Sequence, residues 1–302
     1  MDVSILVSTC NRSADLARFL ECLEQLQTPP GRTWELVIVD NKSRDDSAAV
    51  IKAAQERNVY PIQHVFEGRQ GKSYGLNSGL ALARGRLVAF TDDDVVLPPE
   101  WLTVILDFFE QHPDAVCVGG RVTLYNPADL PICIRLSNEP AAIEAASFSA
   151  VNIPIMGCNM AMRADLLRQV GAFDTDMGPG SRIGVAEDLD YLYRVIQAGH
   201  RIHYAPEVHV LHNHGRRSPE HLDRLKRGYL MGRGAFYCKH LLKRDSRVAR
   251  WAYWEFTNYV GLRTLRAPFD RSVRTELHEL WLLFKGALSY LRHGERPALA
   301  AH

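Results

Sequence analysis

The chain has 302 residues, of which 46% are hydrophobic and 24% charged, so its composition excludes a disordered, fibrous or low-complexity protein. Its 36 lysines and arginines balance 35 aspartates and glutamates, and the net charge of +1 argues against a polyanionic partner such as nucleic acid. The six cysteines form no CxxC pair, and neither an export signal nor a run of 18 apolar residues occurs. We therefore expect free thiols and a cytoplasmic protein without a membrane-spanning segment.

Short apolar segments alternate with amphipathic ones in the first hundred residues. Strands are predicted at 3–8, 35–39, 62–66 and 87–90, with a helix after each of the first three. Nearly continuous apolar strands that alternate with helices indicate a parallel sheet covered on both faces. Ligands of such sheets bind at the carboxyl ends of the strands, and the loops there are polar in this sequence.

The pattern becomes mixed after residue 101. A helix is predicted to about residue 111, and a proline-bearing loop covers 127–140. The remaining predicted elements are strands at 115–118, 122–125, 155–162 and 203–211 and helices at 164–170 and 187–198. The loop 171–184 between these two helices is rich in glycine.

Three consecutive aspartates, Asp92, Asp93 and Asp94, follow the apolar strand at 87–90. Their mutual repulsion calls for a counter-charge, which Mg²⁺ or Mn²⁺ would supply because these ions prefer oxygen ligands. If the segment is extended, Asp92 and Asp94 point to one side and Asp93 to the other. Aspartates are also common in solvated turns, so the cluster alone leaves both interpretations open.

A second acidic pair, Glu187 and Asp188, stands at the start of a predicted helix. It follows the loop 178–184, whose three glycines allow it to close over a substrate, and the pair would then supply a general base at the edge of a cleft. The alternative is that the helix dipole alone favours acidic residues in this first turn. His212 and His214 follow another strand, and one of them would complete the coordination of a metal held by Asp94.

The familiar glycine-rich phosphate loops are absent. The loop after the first strand contains no glycine, which argues against a Rossmann dinucleotide enzyme. The segment 71–73 has the end of a P-loop motif, but Phe66 stands where its first glycine should be. Arg12, Arg69 and Lys72 can still neutralise a diphosphate on the same side as the aspartates.

The segment 216–250 carries eleven lysines and arginines against three acidic residues, and an aromatic-rich tail follows it. Such a helical region can lie on an anionic membrane surface. Alternatively, its aromatic side chains pack on the core while its charges are solvated.

Eight short motifs follow one another in a fixed order: VSTCNR at 7–12, VIVDNKS at 37–43, Asn77 with 83–85, FTDDD at 90–94, GCNMAMR at 157–163, GAFD at 171–174, ED at 187–188 and VLH at 210–212. In this order they resemble the inverting family 2 glycosyltransferases of GT-A fold, over about residues 3–215. The resemblance implies an α/β protein with a mostly parallel central sheet flanked by helices. It also implies inverting transfer of a sugar from a nucleotide-sugar, most often a UDP-sugar, to a hydroxyl acceptor.

The resemblance also implies roles for individual residues. Asp94 and His212 would bind Mn²⁺ or Mg²⁺, with Asp92 as a further ligand and His214 as the alternative imidazole. Asp188 would deprotonate the acceptor, with Glu187 beside it. The expected contacts to the nucleotide-sugar are Thr9, Asn11, Arg12, Asp40, Lys72, Asn77, Asp92 and Asp93.

The resemblance further suggests a division of the chain. We expect a catalytic domain at 1–215, made of a nucleotide-binding half at 1–100 and an acceptor-binding half at 101–215, and a helical extension at 216–302. The acceptor would be a glycan, a lipid-linked molecule or a small soluble molecule. Peripheral contact with the inner membrane face through 216–300 and formation of a homodimer are both left open.

Two other functions are compatible with the same residues. The aspartate cluster would also suit a metal-dependent nucleotidyltransferase or phosphohydrolase. The third hypothesis is a protein that binds a nucleotide-sugar or a membrane surface without catalysis.

Overall fold

The computed structural model describes the backbone of residues 1–260 and 271–294 and the side chains of 1–257 and 277–294. In the first half, strands and helices alternate as the sequence predicts, because each apolar run is followed by a helix-forming segment. The elements of this half are β1 (Val3–Thr9), α1 (Ser13–Leu23), β2 (Trp34–Asp40), α2 (Ser47–Arg57), β3 (Ile62–Phe66), α3 (Lys72–Leu80), β4 (Leu87–Thr91), β5 (Val95–Val96) and α4 (Trp101–Gln111).

The second half adds further strands and three long carboxyl-terminal helices. Its elements are β6 (Cys117–Leu124), β7 (Ala141–Ile143), β8 (Asn159–Arg163), α5 (Ala164–Val170), α6 (Glu187–Gln197), β9 (Ile202–His212), α7 (Pro219–Leu242), α8 (Ser246–Val260) and α9 (Arg271–His293). The two strands predicted at 115–118 and 122–125 are one strand, β6. The glycines between them lie inside the sheet, where the neighbouring backbone leaves no room for a side chain.

One sheet contains all of these strands, in the order β3-β2-β1-β4-β8-β6-β9-β5, with β7 beside β9. The strands β1 to β4 pair in parallel, as predicted, so their carboxyl ends lie at one edge. The strand β8 runs antiparallel to both β4 and β6, and the second half of the sheet is therefore mixed. The edge formed by the ends of β1 and β4 is where the polar loops gather.

Helices cover both faces of the sheet, which explains why its strands are apolar on both sides. In β1, Ile5 and Val7 pack with α1, α2 and α4 on one face, whereas Leu6 packs with α3, α5, α6 and α7 on the other. Trp101 and Tyr193, which are almost fully buried, lie in these two layers. The helix α7 thus belongs to the core that supports the sheet.

The aromatic residues of the carboxyl-terminal helices divide into two groups. Trp251 of α8 packs on Tyr193 of α6, which also contacts Phe236 of α7, so these rings join the core. Trp281 and Phe284 of α9 are exposed. Residues 261–270 and 295–302 of the predicted extension lie outside the described part of the chain.

The helices α7 and α9 cross in direct backbone contact. A Cβ atom at Gly234 would overlap the carbonyl oxygen of Leu283, and one at Gly286 would overlap that of Met231. Close approach of this kind is available only to glycine. Within 1–260 and 271–294, no helix has the length and apolar character needed to cross a bilayer.

Candidate active site

A cavity of about 410 Å³ opens at the carboxyl-terminal edge of the sheet. It lies among the end of β1, the turn after β4, the start of α6 and the end of β9. The sequence-predicted residues that line it are Thr9, Arg12, Lys72, Asp92, Asp93, Asp94, Glu187, Asp188 and His212. The two acidic sites predicted from separate parts of the sequence therefore share one cavity.

The three aspartates form a turn between β4 and β5, so the prediction that Asp93 points away from Asp92 and Asp94 is wrong. Alternation of sides requires an extended backbone, which a turn does not have. Lys72 Nζ lies 2.5 Å from Asp92 Oδ1. The Thr9 hydroxyl donates a hydrogen bond of 2.7 Å to Asp93. Asp92 and Asp93 thus each have a partner in the cavity wall.

Arg12 bridges the two deeper aspartates. Its guanidinium lies 3.3 Å from Asp93 Oδ1 and 3.0 Å from Asp94 Oδ2. Burial raises the pKa of Asp93 to about 7 despite the nearby Arg12. Burial also acts to raise the pKa of Asp94, but the hydrogen bond and charge of His212, with the charge of Arg12, hold it well below its ordinary value. Asp94 is therefore a carboxylate at neutral pH.

His212 is oriented by hydrogen bonds at both ring nitrogens. Its Nδ1 lies 3.2 Å from the carbonyl oxygen of Cys133, so Nδ1–H donates to that oxygen, and its Nε2 lies 3.3 Å from Asp94 Oδ1. Burial alone would lower the pKa of His212, but Asp94 outweighs it and raises the pKa above its ordinary value.

Asp94 Oδ1 and His212 Nε2 lie next to each other. An oxygen donor and a nitrogen donor placed in this way fit a divalent cation. A carboxylate beside an imidazole whose other nitrogen is held by a carbonyl is a common donor arrangement for such ions. Among the described side chains, no cluster of three or more His, Cys, Asp or Glu residues is arranged to hold a metal. A cation bound by Asp94 and His212 would therefore draw further ligands from substrate phosphates or water.

Glu187 and Asp188 begin α6 on the other side of the cavity. Asp188 accepts a hydrogen bond of 2.8 Å from the Leu189 N–H. Glu187 Oε2 is buried and has no hydrogen-bond partner within the described residues. Burial raises the pKa of both carboxyl groups, and the charge of Lys72 opposes this rise. A carboxylate with a raised pKa suits proton transfer near neutral pH.

The loop before α6 is held against its neighbours. The Lys72 N–H donates to the Pro179 carbonyl at 2.9 Å, and the Ser73 hydroxyl donates to the Met177 carbonyl at 2.7 Å. The loop predicted to close over a substrate thus lies across the start of α3. This arrangement makes it one wall of the cavity.

The helix α7 packs against the loop that precedes α6. The Val185 N–H donates to the Gly228 carbonyl at 3.2 Å, and a Cβ atom at Gly232 would overlap the backbone of Val185. Leu225 and Tyr229 of α7 also line the cavity. The sequence reasoning missed these two residues because no local motif marks them and only packing brings them to the site.

Five residues singled out in the sequence lie outside the lining of this cavity, and one of them, Arg69, pairs with Glu67 at 2.8 Å. Asn11 joins two loops, since its Oδ1 accepts from the Arg44 N–H at 2.7 Å. Asp40 is buried and accepts from the Ser43 N–H at 2.8 Å. These contacts hold the loops after β1 and β2 together. A sequence signal could have found Asn41 instead, which follows β2 directly and does line the cavity.

The other two residues have backbone partners. The amide of Asn77 binds both the carbonyl and the N–H of Phe173, at 2.9 and 2.8 Å, and so fixes that segment. His214 Nδ1 accepts from the Arg216 N–H at 3.0 Å and lies 3.7 Å from Asp129. His212, and not His214, is therefore the imidazole that reaches Asp94.

Comparison with known proteins identifies the family. Residues 4–171 match the family model described as glycosyl transferase family 2, which is more than half of the chain. The chain belongs to glycosyl transferase family 2. Its sheet and helices have the GT-A fold, as the resemblance implied.

Two solved structures show how far the fold extends. A mannosyltransferase from Pyrobaculum calidifontis, in complex with GDP-Man and Mn²⁺, aligns with 99% of this chain and 77% of its own at a TM-score of 0.61 and 18% identity. S. aureus TarS 1-349, in complex with UDP-GlcNAc, aligns with 95% of this chain and 82% of its own at a TM-score of 0.58 and 17% identity. At these identities the likeness shows the fold.

The curated relatives include transferases named for lipid-linked molecules. Glucosyl-dolichyl phosphate glucuronosyltransferase of Haloferax volcanii is 26% identical over 227 residues, covering 70% of this chain and 69% of the relative. Undecaprenyl-phosphate 4-deoxy-4-formamido-L-arabinose transferase of Pseudomonas aeruginosa is 33% identical over 115 residues, covering 38% of this chain and 34% of the relative. Pre-mycofactocin glycosyltransferase of Mycobacterium tuberculosis is 25% identical over 219 residues, covering 70% of this chain and 43% of the relative. The chain thus spans less than half the length of the last two.

Proposed function

We propose that this family 2 enzyme transfers a sugar from a nucleoside diphosphate sugar, with a UDP-sugar as the first candidate, to an acceptor oxygen with inversion at the anomeric carbon. The observation that carries the proposal is the single cavity lined by both the Asp94 and His212 pair and the Glu187 and Asp188 pair. Inversion in one displacement needs a leaving-group site and a separate base. The two pairs supply these two sites.

The aspartate side of the cavity would bind the donor. Arg12 and Lys72 carry positive charge next to the aspartates and would contact the diphosphate. Asp94 and His212 would hold Mn²⁺ or Mg²⁺, which when bound stabilises the negative charge of the departing diphosphate. The related folds in complex with UDP-GlcNAc and with GDP-Man and Mn²⁺ support this assignment.

The α6 side would activate the acceptor. The oxygen of the acceptor hydroxyl would attack the anomeric carbon, and Asp188 would accept the proton of that hydroxyl. The bond from the anomeric carbon to the diphosphate would break on the opposite face. Glu187, beside Asp188, would position the sugar or the acceptor through its unpaired Oε2.

The acceptor is proposed to be lipid-linked. Relatives named for dolichyl phosphate and undecaprenyl phosphate support this class over a soluble glycan. An enzyme acting on such an acceptor would work at the inner face of a membrane without needing to span it.

The test combines donor binding with product analysis. Thermal unfolding is measured with a panel of nucleotide-sugars and Mn²⁺, since a ligand that binds only the folded state raises the melting temperature. We expect Asp94→Ala to abolish the Mn²⁺-dependent shift and to lower turnover by about 10²-fold or more. The control is Asp165→Asn, because Asp165 is exposed and pairs only at the surface.

Product identity separates the alternatives. The proposal requires nucleoside diphosphate and a new glycoside of inverted anomeric configuration. Nucleoside monophosphate or pyrophosphate, without a glycoside, would instead assign the aspartates to a phosphohydrolase or nucleotidyltransferase. Wild-type turnover in Asp94→Ala would remove the basis for the metal site.

A further inference from the structure

A second cavity, of about 800 Å³, lies between the helices α7, α8 and α9, away from the catalytic residues. We call it the apolar groove. The groove is lined by apolar side chains that include Leu241, Phe256, Leu277, Trp281, Phe284 and Leu291. Its one acidic liner, Glu255, is buried and paired with Arg233 at 2.6 Å. The groove therefore presents no free negative charge.

Exposed apolar side chains concentrate around this groove. Nine of the fifteen large apolar side chains that are exposed in the described part of the chain lie between residues 241 and 291. Seven of these nine line the groove itself, among them Phe284, which is 65% exposed, and Phe256, which is 52% exposed. A contiguous surface of this kind marks a site that another apolar body covers.

The charged side chains that are exposed in the two segments carrying these apolar residues are all basic, and we call this set the basic rim. Of the side chains described in 241–257 and 277–294, the lysines and arginines that are exposed are Lys243, Arg244, Arg250, Lys285 and Arg292, and none of the aspartates or glutamates is exposed. Lys285 lies over the Trp281 ring, with its ammonium 5.2 Å from the ring centroid. Long basic side chains beside aromatic rings are typical of surfaces that enter a lipid headgroup layer.

We propose that the apolar groove and its basic rim dock on the surface of an anionic lipid bilayer. The apolar side chains would enter the boundary between headgroups and acyl chains, and the rim would contact the anionic headgroups. A second copy of this chain is a poorer occupant. A two-fold interface would set the same basic rim against itself, with no exposed carboxylate in the described rim to neutralise it.

The helix α7 connects this surface to the catalytic cavity. Tyr229 lines the cavity and Leu241 lines the groove, and twelve residues of helix separate them by about 18 Å. A bilayer seated on the groove would thus lie near the entrance used by a lipid-linked acceptor. This last step rests on the proposed function, whereas docking itself does not.

The test is sedimentation of the full-length protein with vesicles. Vesicles of phosphatidylcholine with phosphatidylglycerol are compared with phosphatidylcholine alone, at low and high salt. We expect binding to the anionic vesicles that weakens with salt. The double variant Trp281→Glu with Phe284→Glu should lose at least about tenfold in affinity, because two charges replace the apolar contact.

A control variant and a second test variant complete this experiment. Phe66→Glu changes a phenylalanine of similar exposure, 60%, at the end of the edge strand β3 and outside the helices that form the groove, and should bind vesicles as the wild type does. Lys285→Glu with Arg292→Glu leaves the groove apolar and should weaken binding by about fivefold for each residue. A melting temperature close to that of the wild type shows that each variant is folded.

An activity measurement separates docking from catalysis. The groove double variant should keep transfer to a water-soluble acceptor analogue and lose transfer to an acceptor embedded in vesicles. Loss of both in a folded variant, or equal vesicle binding by wild type and variant, would overturn the proposal. So would a solution dimer that the groove variant dissociates, since that outcome assigns the groove to a second copy. Absence of any sugar transfer by the wild type, with vesicle binding intact, would reject the proposed function alone.

Discussion

The candidate active-site cavity and the apolar groove lie along one helix but differ in almost every physical property. The cavity is the smaller of the two and is lined by ion pairs such as Arg12 with Asp94. The groove is larger, and its liners are mainly aliphatic and aromatic. Charge gathers where strand ends meet, whereas apolar surface remains exposed where helices cross. The proposed reaction chemistry and the proposed surface attachment would therefore depend on different residues and should be separable by mutation.

The largest effect is expected for Asp188, the proposed base. Asp188→Asn removes the proton acceptor while retaining size and hydrogen bonding, and should lower kcat by about 10²–10⁴-fold with little change in KM for the donor. Steady-state kinetics with the identified donor and acceptor measure this. Vesicle binding by the same variant should equal that of the wild type. A kcat within a few fold of the wild type would exclude Asp188 as the base.

A substitution in the helix shared by both sites tests how separable they are. At Gly232 a Cβ atom would overlap the Val185 backbone, so Gly232→Ala should displace the loop before α6, lower kcat/KM and destabilise the protein by about 1–3 kcal/mol. The matched control is Gly228→Ala. Its Cβ would lie 3.5 Å from the Val185 side chain, an ordinary contact, and alanine favours the helix by about 1 kcal/mol. Equal activity and denaturant midpoints for the two variants would contradict this account.

The pH dependence should move when Lys72 is neutralised. Burial raises the pKa of Asp188, and the positive charge of Lys72 lowers it. Lys72→Gln removes the lowering contribution, so the pKa rises further. Because the base works only when deprotonated, the acidic limb of the kcat/KM profile should shift to higher pH. Lys52→Gln, at an exposed helical position, should leave the limb in place. A shift to lower pH would show that Lys72 does not act on this base.

The smallest effect is expected for stability at the groove. Phe284→Glu alters a side chain that is already largely exposed, and should change the free energy of unfolding by no more than about 0.5 kcal/mol. Urea denaturation measures this. A decrease of several kcal/mol in the free energy of unfolding would mean that Phe284 packs in the hydrophobic core. The groove would then not be an exposed surface.

Much of the site could be predicted because its residues stand at the ends of strands. Asp94 follows β4 and His212 ends β9, and the structure places His212 Nε2 3.3 Å from Asp94 Oδ1. The ion pairs of Arg12 with Asp93 and Asp94 could not be predicted from any local sequence pattern, because they join loops about eighty residues apart in the chain. Periodicity describes elements one at a time, and contacts between distant loops depend on how the elements pack.

The fold shows the same limit. The alternation of strands and helices predicted the parallel half correctly, because each strand there is a continuous apolar run. The antiparallel insertion of β8 between β4 and β6 could not be predicted from the run at 155–162, since pairing partners leave no mark on a single strand. Asn77 was expected at the donor and instead binds the Phe173 backbone, a role that its sequence motif does not distinguish.

The glycine contacts between α7 and α9 have a consequence for acceptor choice. Because Gly234 and Gly286 bring the two backbones together, α9 cannot slide along α7 without steric overlap. The distance between the groove and the carboxylates of Glu187 and Asp188 is then fixed by rigid helices and not by a flexible linker. In the proposed reaction at a docked membrane, the enzyme would accept only those lipid carriers whose polar part projects far enough from the bilayer to reach Asp188.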